Sequence, residues 1–349
     1  MGPRIIEASG SRYAIGWKIG RHCADLIYND IQNSRPDNWS ESQLRTFVSD
    51  CWKALREEFP PLAEELRGMA DGADVPLFEL LLTVFEEVWD VSGTDMGRHG
   101  CTDIVAVPPA TAAGTEIVLG HNNDSDPEGF GPDKVVLLFV APDDGPDAMI
   151  VGFSGTSPMV GINSNGVTLG GNQLRHRDVR AGVPRIMLSR AVLNSRNVTE
   201  AETACLNKRR GGAYNFIIAD GQGNAIDLEG SATDYGRFVP GKDGLMWHTN
   251  HYTHREVVNQ EILDQDDIQE SGYRAKRAET LLKANWGKID KGVMAGILRD
   301  HAGFPDSICW HDHDRGKTTV FSTVIEPNRR TLWLALGNPC ESSYVPYRL

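Results

Sequence analysis

Apolar positions in the first ninety residues recur at helical spacing. Ala14, Ile15, Ile19, Cys23 and Ile27 share one face, and so do Leu44, Phe47, Val48, Cys51, Trp52 and Leu55. Ser40 predicts the N-cap of the second run, and Gln43 completes a capping box. Pro61 opens a third run through Leu62, Leu66 and Met69, and Pro76 a fourth through Leu77, Leu80, Leu81 and Phe85 to Val88. After about residue 100 the pattern changes to short apolar runs separated by Gly, Pro and Asp. Ile104–Val107, Glu116–Leu119, Lys134–Val140 and Ala148–Phe153 predict strands of an antiparallel sheet. Gly161–Leu169 reads as a turn feeding another strand. Helices are expected around Arg185–Leu193 and Thr199–Leu206, then strands at Tyr214–Ala219, Ala225–Leu228 and Leu245–Thr249. A helix near Tyr273–Ala284 and a hairpin of Thr318–Ile325 with Thr331–Leu336 complete the order. Helices, strands, helices and strands in that succession predict an α+β, helix–sheet–sheet–helix packing. No internal repeat or linker is evident, and the helical first hundred residues read as a distinct block.

Charge narrows the partners. The 349 residues carry 35 Lys and Arg against 48 Asp and Glu, a formal net charge of −13. Such a surface repels phosphate backbones and anionic bilayers, so neither nucleic acid nor membrane is expected as a partner. No apolar run is long enough to span a bilayer. Met1–Glu7 lacks the apolar stretch of a signal peptide, which makes the cytoplasm the expected location. The six cysteines are scattered, a pattern of reduced thiols rather than a disulfide framework.

One cysteine differs in context. Gly100-Cys101-Thr102 sits where helices give way to strands. Glycine before cysteine lets a thiol approach the preceding carbonyl, as an N-to-S acyl shift requires. Hydrolysis of that thioester leaves Cys101 with a free α-amine, whose pKa near 8 suits it as base for its own thiol. A buried cysteine at a strand start is the competing reading. Gly120-His121-Asn122-Asn123-Asp124 follows the next strand, and a hairpin would bring Asp124 near the new amine. Asn172, at the end of the Gly170-Gly171-Asn172 run, and Asn250, in His248-Thr249-Asn250-His251, supply side-chain amides able to stabilise an oxyanion.

These pieces, in this order, resemble the acyl-coenzyme A:6-aminopenicillanic acid acyltransferase family, also called isopenicillin-N acyltransferases, of the N-terminal-nucleophile (Ntn) hydrolases. The resemblance also rests on Gly161-Ile162-Asn163, Asp300-His301, Pro305, Ser307-Ile308-Cys309 and the closing Thr331-Leu332-Trp333 with Gly337 and Pro339. It implies a four-layer αββα fold, self-cleavage between Gly100 and Cys101, and an acyl-cysteine intermediate. Residues 1–100 would then form a retained helical fragment, and 101–349 the fragment headed by the nucleophile, the two associating as a heterodimer. It further implies Cys101 as nucleophile, Asp124 as the group orienting its amine, Asn172 in the oxyanion hole, and Asn250 as the second site asparagine. His121, Asn122, Ser271, Arg274 and Ser307 are further candidates near the substrate. The substrate would be a small amide or an acyl-coenzyme A, with no cofactor. The stretch between Cys101 and Asp124 is longer than usual for the family, through Pro108–Ala113.

Two histidine groups compete for attention. His311-Asp312-His313-Asp314 with His301, and His248 with His251 and His254, hold metal-ligand residue types but lack a zincin frame, so no metal is expected. Glu229 reads as a strand-end charge. The alternative to an enzyme is a binding protein that keeps the fold without the chemistry.

Overall fold

The computed structural model describes residues 2–33, 35–36, 38–93, 100–311 and 316–349. The chain opens on a strand, β1 (Arg4–Gly10), followed by helices α1 (Arg12–Asn33), α2 (Glu41–Glu58), α3 (Pro60–Ala73), α4 (Leu77–Val84) and α5 (Glu87–Ser92). Strands β2 (Gly100–Ala106), β3 (Val118–Ser125), β4 (Val135–Pro142), β5 (Ala148–Phe153), β6 (Ser157–Asn163) and β7 (Thr168–Asn172) come next. Helices α6 (Arg185–Val192) and α7 (Val198–Cys205) lead to β8 (Asn215–Ala219), β9 (Ala225–Gly230), β10 (Tyr235–Phe238) and β11 (Leu245–His248). Then follow α8 (Gln265–Ala284), α9 (Lys291–Leu298), β12 (Thr318–Glu326), β13 (Thr331–Leu336) and β14 (Val345–Arg348).

Two sheets stack face to face. One runs β1-β4-β5-β6-β7-β8-β9-β10 and the other β11-β2-β3-β12-β13-β14. Three apolar cores separate four layers. The largest lies between α1–α7 and the outer face of the eight-stranded sheet. A second, with Val105, Leu137, Val151, Ile217 and Phe321, fills the space between the sheets. The third joins the six-stranded sheet to α8 and α9. The expected αββα architecture is what the chain adopts. No helix among the described residues is long and apolar enough to cross a membrane.

The first hundred residues are not a purely helical, separate block. Strand β1 pairs in parallel with β4, Ile6 opposite Leu138 and Ala8 opposite Val140. Its single buried face, with Ile5 exposed, leaves only a faint alternation to read. A buried ion network spans the same boundary. Arg190 of α6 forks onto Glu65 of α3 at 2.9 and 3.0 Å, and Arg12 of α1 reaches the same carboxylate at 3.4 Å. Helices α1 and α3 touch backbone to backbone: a Cβ on Gly16 would lie 1.8 Å from the Glu65 carbonyl oxygen.

The capping box at Ser40 and Gln43 forms as expected. The run from Pro76 divides into α4 and α5, because Phe85 leaves helical geometry (φ −90°, ψ 81°). Helix α8 starts at Gln265, capped by Asp264, a full two turns before the expected start. That shift places Ser271 and Arg274 on a buried helical face.

Candidate active site

The β2–β3 hairpin builds the centre. Gly100 lies opposite Asp124, Cys101 opposite Asn123 and Asp103 opposite His121, so the long loop at Pro108–Ala113 does not displace the pairing. Strand alternation divides these side chains between two faces. Cys101 and Asp103 share the face of Val105, which belongs to the core between the sheets. Thr102 shares the face of Ile104, which packs toward α8 and α9.

The Cys101 thiol opens into a cavity of about 660 Å³, its mouth included, that also touches Asn123, Phe130, Met159, Asn172 and Phe216. Asn123 Nδ2 donates to Cys101 Sγ at 3.7 Å. Cys101 is 6% exposed. Burial pushes its thiol well above the usual range; the Asp124 and Asp103 carboxylates add to this, while the Arg274 guanidinium works against it.

The backbone of Cys101 is held from α8 and from the segment after β11. Its N–H donates to Asn250 Oδ1 at 2.8 Å. Arg274 Nη1 donates to the Cys101 carbonyl at 2.5 Å and to Thr102 Oγ1 at 3.1 Å, and Nη2 donates to Asn250 Oδ1 at 2.9 Å. Ser271 Oγ accepts from the Asn250 N–H at 2.8 Å and so fixes that asparagine. The Arg274 guanidinium lies 4.9 Å over the Trp310 ring. Gly100 backs onto the same ring, where a Cβ would fall 2.6 Å from a Trp310 carbon.

Asp124 is fully buried. Thr319 Oγ1 donates to its Oδ1 at 2.5 Å, and Oδ2 has no partner. Burial raises its pKa to about 6, held back chiefly by Arg274 and then by the Thr319 hydrogen bond. The partner of the Cys101 nitrogen is therefore Asn250, with Asp124 one register position away across the strand pair.

A model of the acyl-coenzyme A:6-aminopenicillanic acid acyl-transferase family matches residues 111–341. The chain belongs to this family. Among relatives, it is 25% identical over 306 residues to the acyl-coenzyme A:6-aminopenicillanic-acid-acyltransferase 40 kDa form of Emericella nidulans, covering 86% of this chain and 82% of that protein. It is 23% identical over 219 residues to the beta-alanyl-dopamine/carcinine hydrolase of Drosophila melanogaster, covering 56% of this chain and 55% of the hydrolase. A mutant conjugated bile acid hydrolase from Clostridium perfringens superposes with a TM-score of 0.46 at 11% identity, over 71% of this chain and 97% of that one. Membership makes this chain an acyl-transfer or amide-cleaving enzyme. The matched stretch begins after Cys101, so the position of this family member's thiol rests on the hairpin geometry.

Asn172 lines the Cys101 cavity at the end of β7. One of its amide hydrogens goes to Asp103 Oδ2 at 2.9 Å, and its carbonyl oxygen accepts from Asn215 Nδ2 at 3.1 Å. The Asp103 contact accounts for one of its two amide hydrogens. His121 Nδ1 lies 3.0 Å from Asp103 Oδ2, and its Nε2 is buried without a partner. Two candidates lie elsewhere. Asn122 points away from the thiol and donates to the carbonyls of Leu298 and Ile308, both at 2.9 Å, clamping the end of α9. Ser307 donates to the Cys309 carbonyl at 2.7 Å and stabilises a turn.

Sequence reasoning passed over Asp103, Asn123, Asn215, Trp310 and Thr319, all of which touch the named residues. Register would have found Asp103 and Asn123, which alternate with or face Cys101. Glu229, near the end of β9 as expected, is buried, 2.9 Å from His248 Nε2. Burial alone would lower the His248 pKa, but the Asp227 and Glu229 carboxylates outweigh it and lift it to about 9. His248, His251 and His254 do not converge on one point. His248 faces Glu229, His251 Nδ1 meets Ser271 Oγ at 2.8 Å, and His254 meets Phe238 edge to face. Of the other histidine group, Asp312, His313 and Asp314 lie outside the described residues.

Proposed function

We propose that this family member is a self-processing cysteine Ntn enzyme that cleaves or transfers an acyl group from an amide. In the first stage the Cys101 thiol attacks the Gly100 carbonyl carbon. The Gly100–Cys101 C–N bond breaks, its nitrogen takes up the thiol proton, and a thioester forms at Sγ. Water hydrolyses that thioester, leaving residues 1–100 with a new carboxylate and Cys101 with a free amine and thiol. In the second stage the amine removes the thiol proton, and the thiolate attacks a substrate amide to give an acyl-cysteine. The departing amine of the substrate takes up the proton. Asp124 orients the Cys101 amine, the second Asn172 amide hydrogen binds the oxyanion, and Asn250 and Arg274 position the Cys101 backbone.

The observation that carries this reading is a thiol on the floor of an apolar cavity whose own nitrogen and carbonyl are separately held. Burial raises the thiol pKa, which is why the second stage calls on the adjacent Cys101 amine as base. The cavity walls of Phe130, Phe153, Met159, Leu169 and Phe216 favour an apolar acyl group. Water attacking the acyl-cysteine makes the enzyme an amide hydrolase; an amine or thiol makes it an acyltransferase.

Intact mass spectrometry of the purified protein tests the first stage. Two fragments are expected, residues 1–100 and 101–349, and Cys101→Ala should remain one inactive chain. A wild-type chain that stays whole yet turns over substrate overturns the scheme, since no free α-amine would exist. A whole chain that only binds amides favours the binding-protein alternative. Turnover of simple N-acyl amides, with and without an acyl-coenzyme A, separates hydrolysis from transfer.

A further inference from the structure

Four soft or borderline ligands converge far along the chain from the hairpin. His301, Cys309, His311 and Cys340 each bring one ligand atom, and these atoms all lie within 4.8 Å of one another. Cys309 Sγ is 3.8 Å from Cys340 Sγ and 3.5 Å from His311 Nε2, and His311 Nε2 is 3.0 Å from Cys340 Sγ. The His301 and His311 rings are 5.0 Å apart between centroids.

These separations have a simple geometric meaning. A tetrahedral zinc ion with bonds of about 2.3 Å to sulfur and about 2.0–2.1 Å to nitrogen sets its ligands on an edge-sharing frame. From those bond lengths a sulfur–sulfur edge is about 3.8 Å and a sulfur–nitrogen edge about 3.5 Å. The first two distances match, and the third is shorter by a movement one imidazole can make. Two thiolates and two imidazoles also balance a dication's charge and match its ligand preference.

We propose that His301, Cys309, His311 and Cys340 form a structural zinc site. On binding, the two thiols release their protons to solvent and all four coordination positions are filled by protein, so the ion takes no part in substrate chemistry. Its place in the fold gives it a purpose. Cys309 and His311 flank Trp310, the ring that backs Gly100 and carries Arg274, and Asn338 Nδ2 donates to the Trp310 carbonyl at 2.5 Å. Cys340 comes from the segment after β13. The ion therefore ties two distant stretches together behind the candidate cleavage junction.

The test uses the full chain, stripped with a chelator under reducing conditions and then titrated with zinc alone. One equivalent should bind and raise the melting temperature by ~5 °C or more at saturating metal. Cobalt(II) in its place should give the intense visible bands of a tetrahedral ion with a thiolate-to-metal charge-transfer band. Cys340→Ser and His301→Ala, both at exposed positions, should fold yet lose stoichiometric binding and the metal-dependent melting shift. Absence of binding to the stripped wild-type chain overturns the proposal, and so does binding left unchanged by both variants. A Cys309–Cys340 disulfide in freshly isolated protein also overturns it, by assigning the pair to a redox cross-link. None of these readouts depends on processing at Cys101.

Discussion

At the scale of single residues, the amide of Asn172 and the missing side chain of Gly100 carry the sharpest consequences. Loss of one oxyanion donor commonly costs about 3 kcal/mol of transition-state stabilisation, so Asn172→Ala should lower kcat about 100-fold with KM little changed. A change confined to KM would make Asn172 a binding or packing residue. Gly100→Ala drives a methyl group into Trp310 and should slow fragment formation at least ~10-fold, measured as the uncut fraction over time. Trp310→Leu in the same chain should recover part of that rate by making room. His248 gives a pH signature. Its folded pKa is raised from the ordinary 6.5 to about 9, so its stabilisation is fully present below 6.5 and lost as pH rises through 9. The melting-temperature gap between wild type and His248→Gln should be widest at about pH 6 and close toward about pH 9.5, from a contribution on the order of 2–3 kcal/mol. A gap independent of pH would mean that His248 is neutral throughout. Among the candidate site residues, Cys101 stands out in the sequence by the glycine before it, whereas Asn172, Asn250 and Arg274 are picked out through the resemblance to the family. Asn122 does not join them, since strand alternation sends it to the opposite face from Asn123. Trp310 and Thr319 reach the site by tertiary packing that no local pattern encodes.

Among the elements, the closest helix contact makes its own prediction. Gly16 and Gly68 let α1 and α3 meet at backbone distance, and a Cβ at Gly68 would fall 2.0 Å from the Tyr13 carbonyl. Gly16→Ala should therefore cost ~3 kcal/mol or more in denaturant unfolding, because backbone must move to admit the methyl group. Gly296 in α9 has open space around it, so Gly296→Ala should be neutral or stabilising by up to about 1 kcal/mol. Equal effects at both positions would discount the packing argument. The same elements mark what periodicity can reveal. Long amphipathic helices such as α1 and α2, and strands buried on both faces such as β4 and β5, announce themselves. Strand β10 has the exposed Tyr235 and the half-buried Phe238 at its ends, and α9 carries Gly292 and Gly296, so both show too little pattern to be found. Helix α9 is fixed instead by the Asp290 cap and by burial of Met294, Ile297 and Leu298.

For the molecule as a whole, the fold is continuous across the Gly100–Cys101 junction at which cleavage is proposed. Among the described residues, the first segment supplies one strand, five helices and half of a buried ion network to a core shared with α6 and β4–β8. After cleavage the two fragments should remain together through gel filtration and native mass spectrometry, and separate only at denaturant concentrations that unfold both. Fragments that part in plain buffer would show the shared core to be too weak to hold them. Strand β1 also has a practical consequence for anyone who tries to make the nucleophile-bearing piece directly. A gene starting at Cys101 would yield β4 with a naked hydrogen-bonding rim, bordered by Val136 and Leu138 and stripped of the apolar helices above it. Such rims recruit one another. That shortened product is expected in inclusion bodies, and the leading segment acts as the tailor-made sheath that keeps the sheet from finding its own kind.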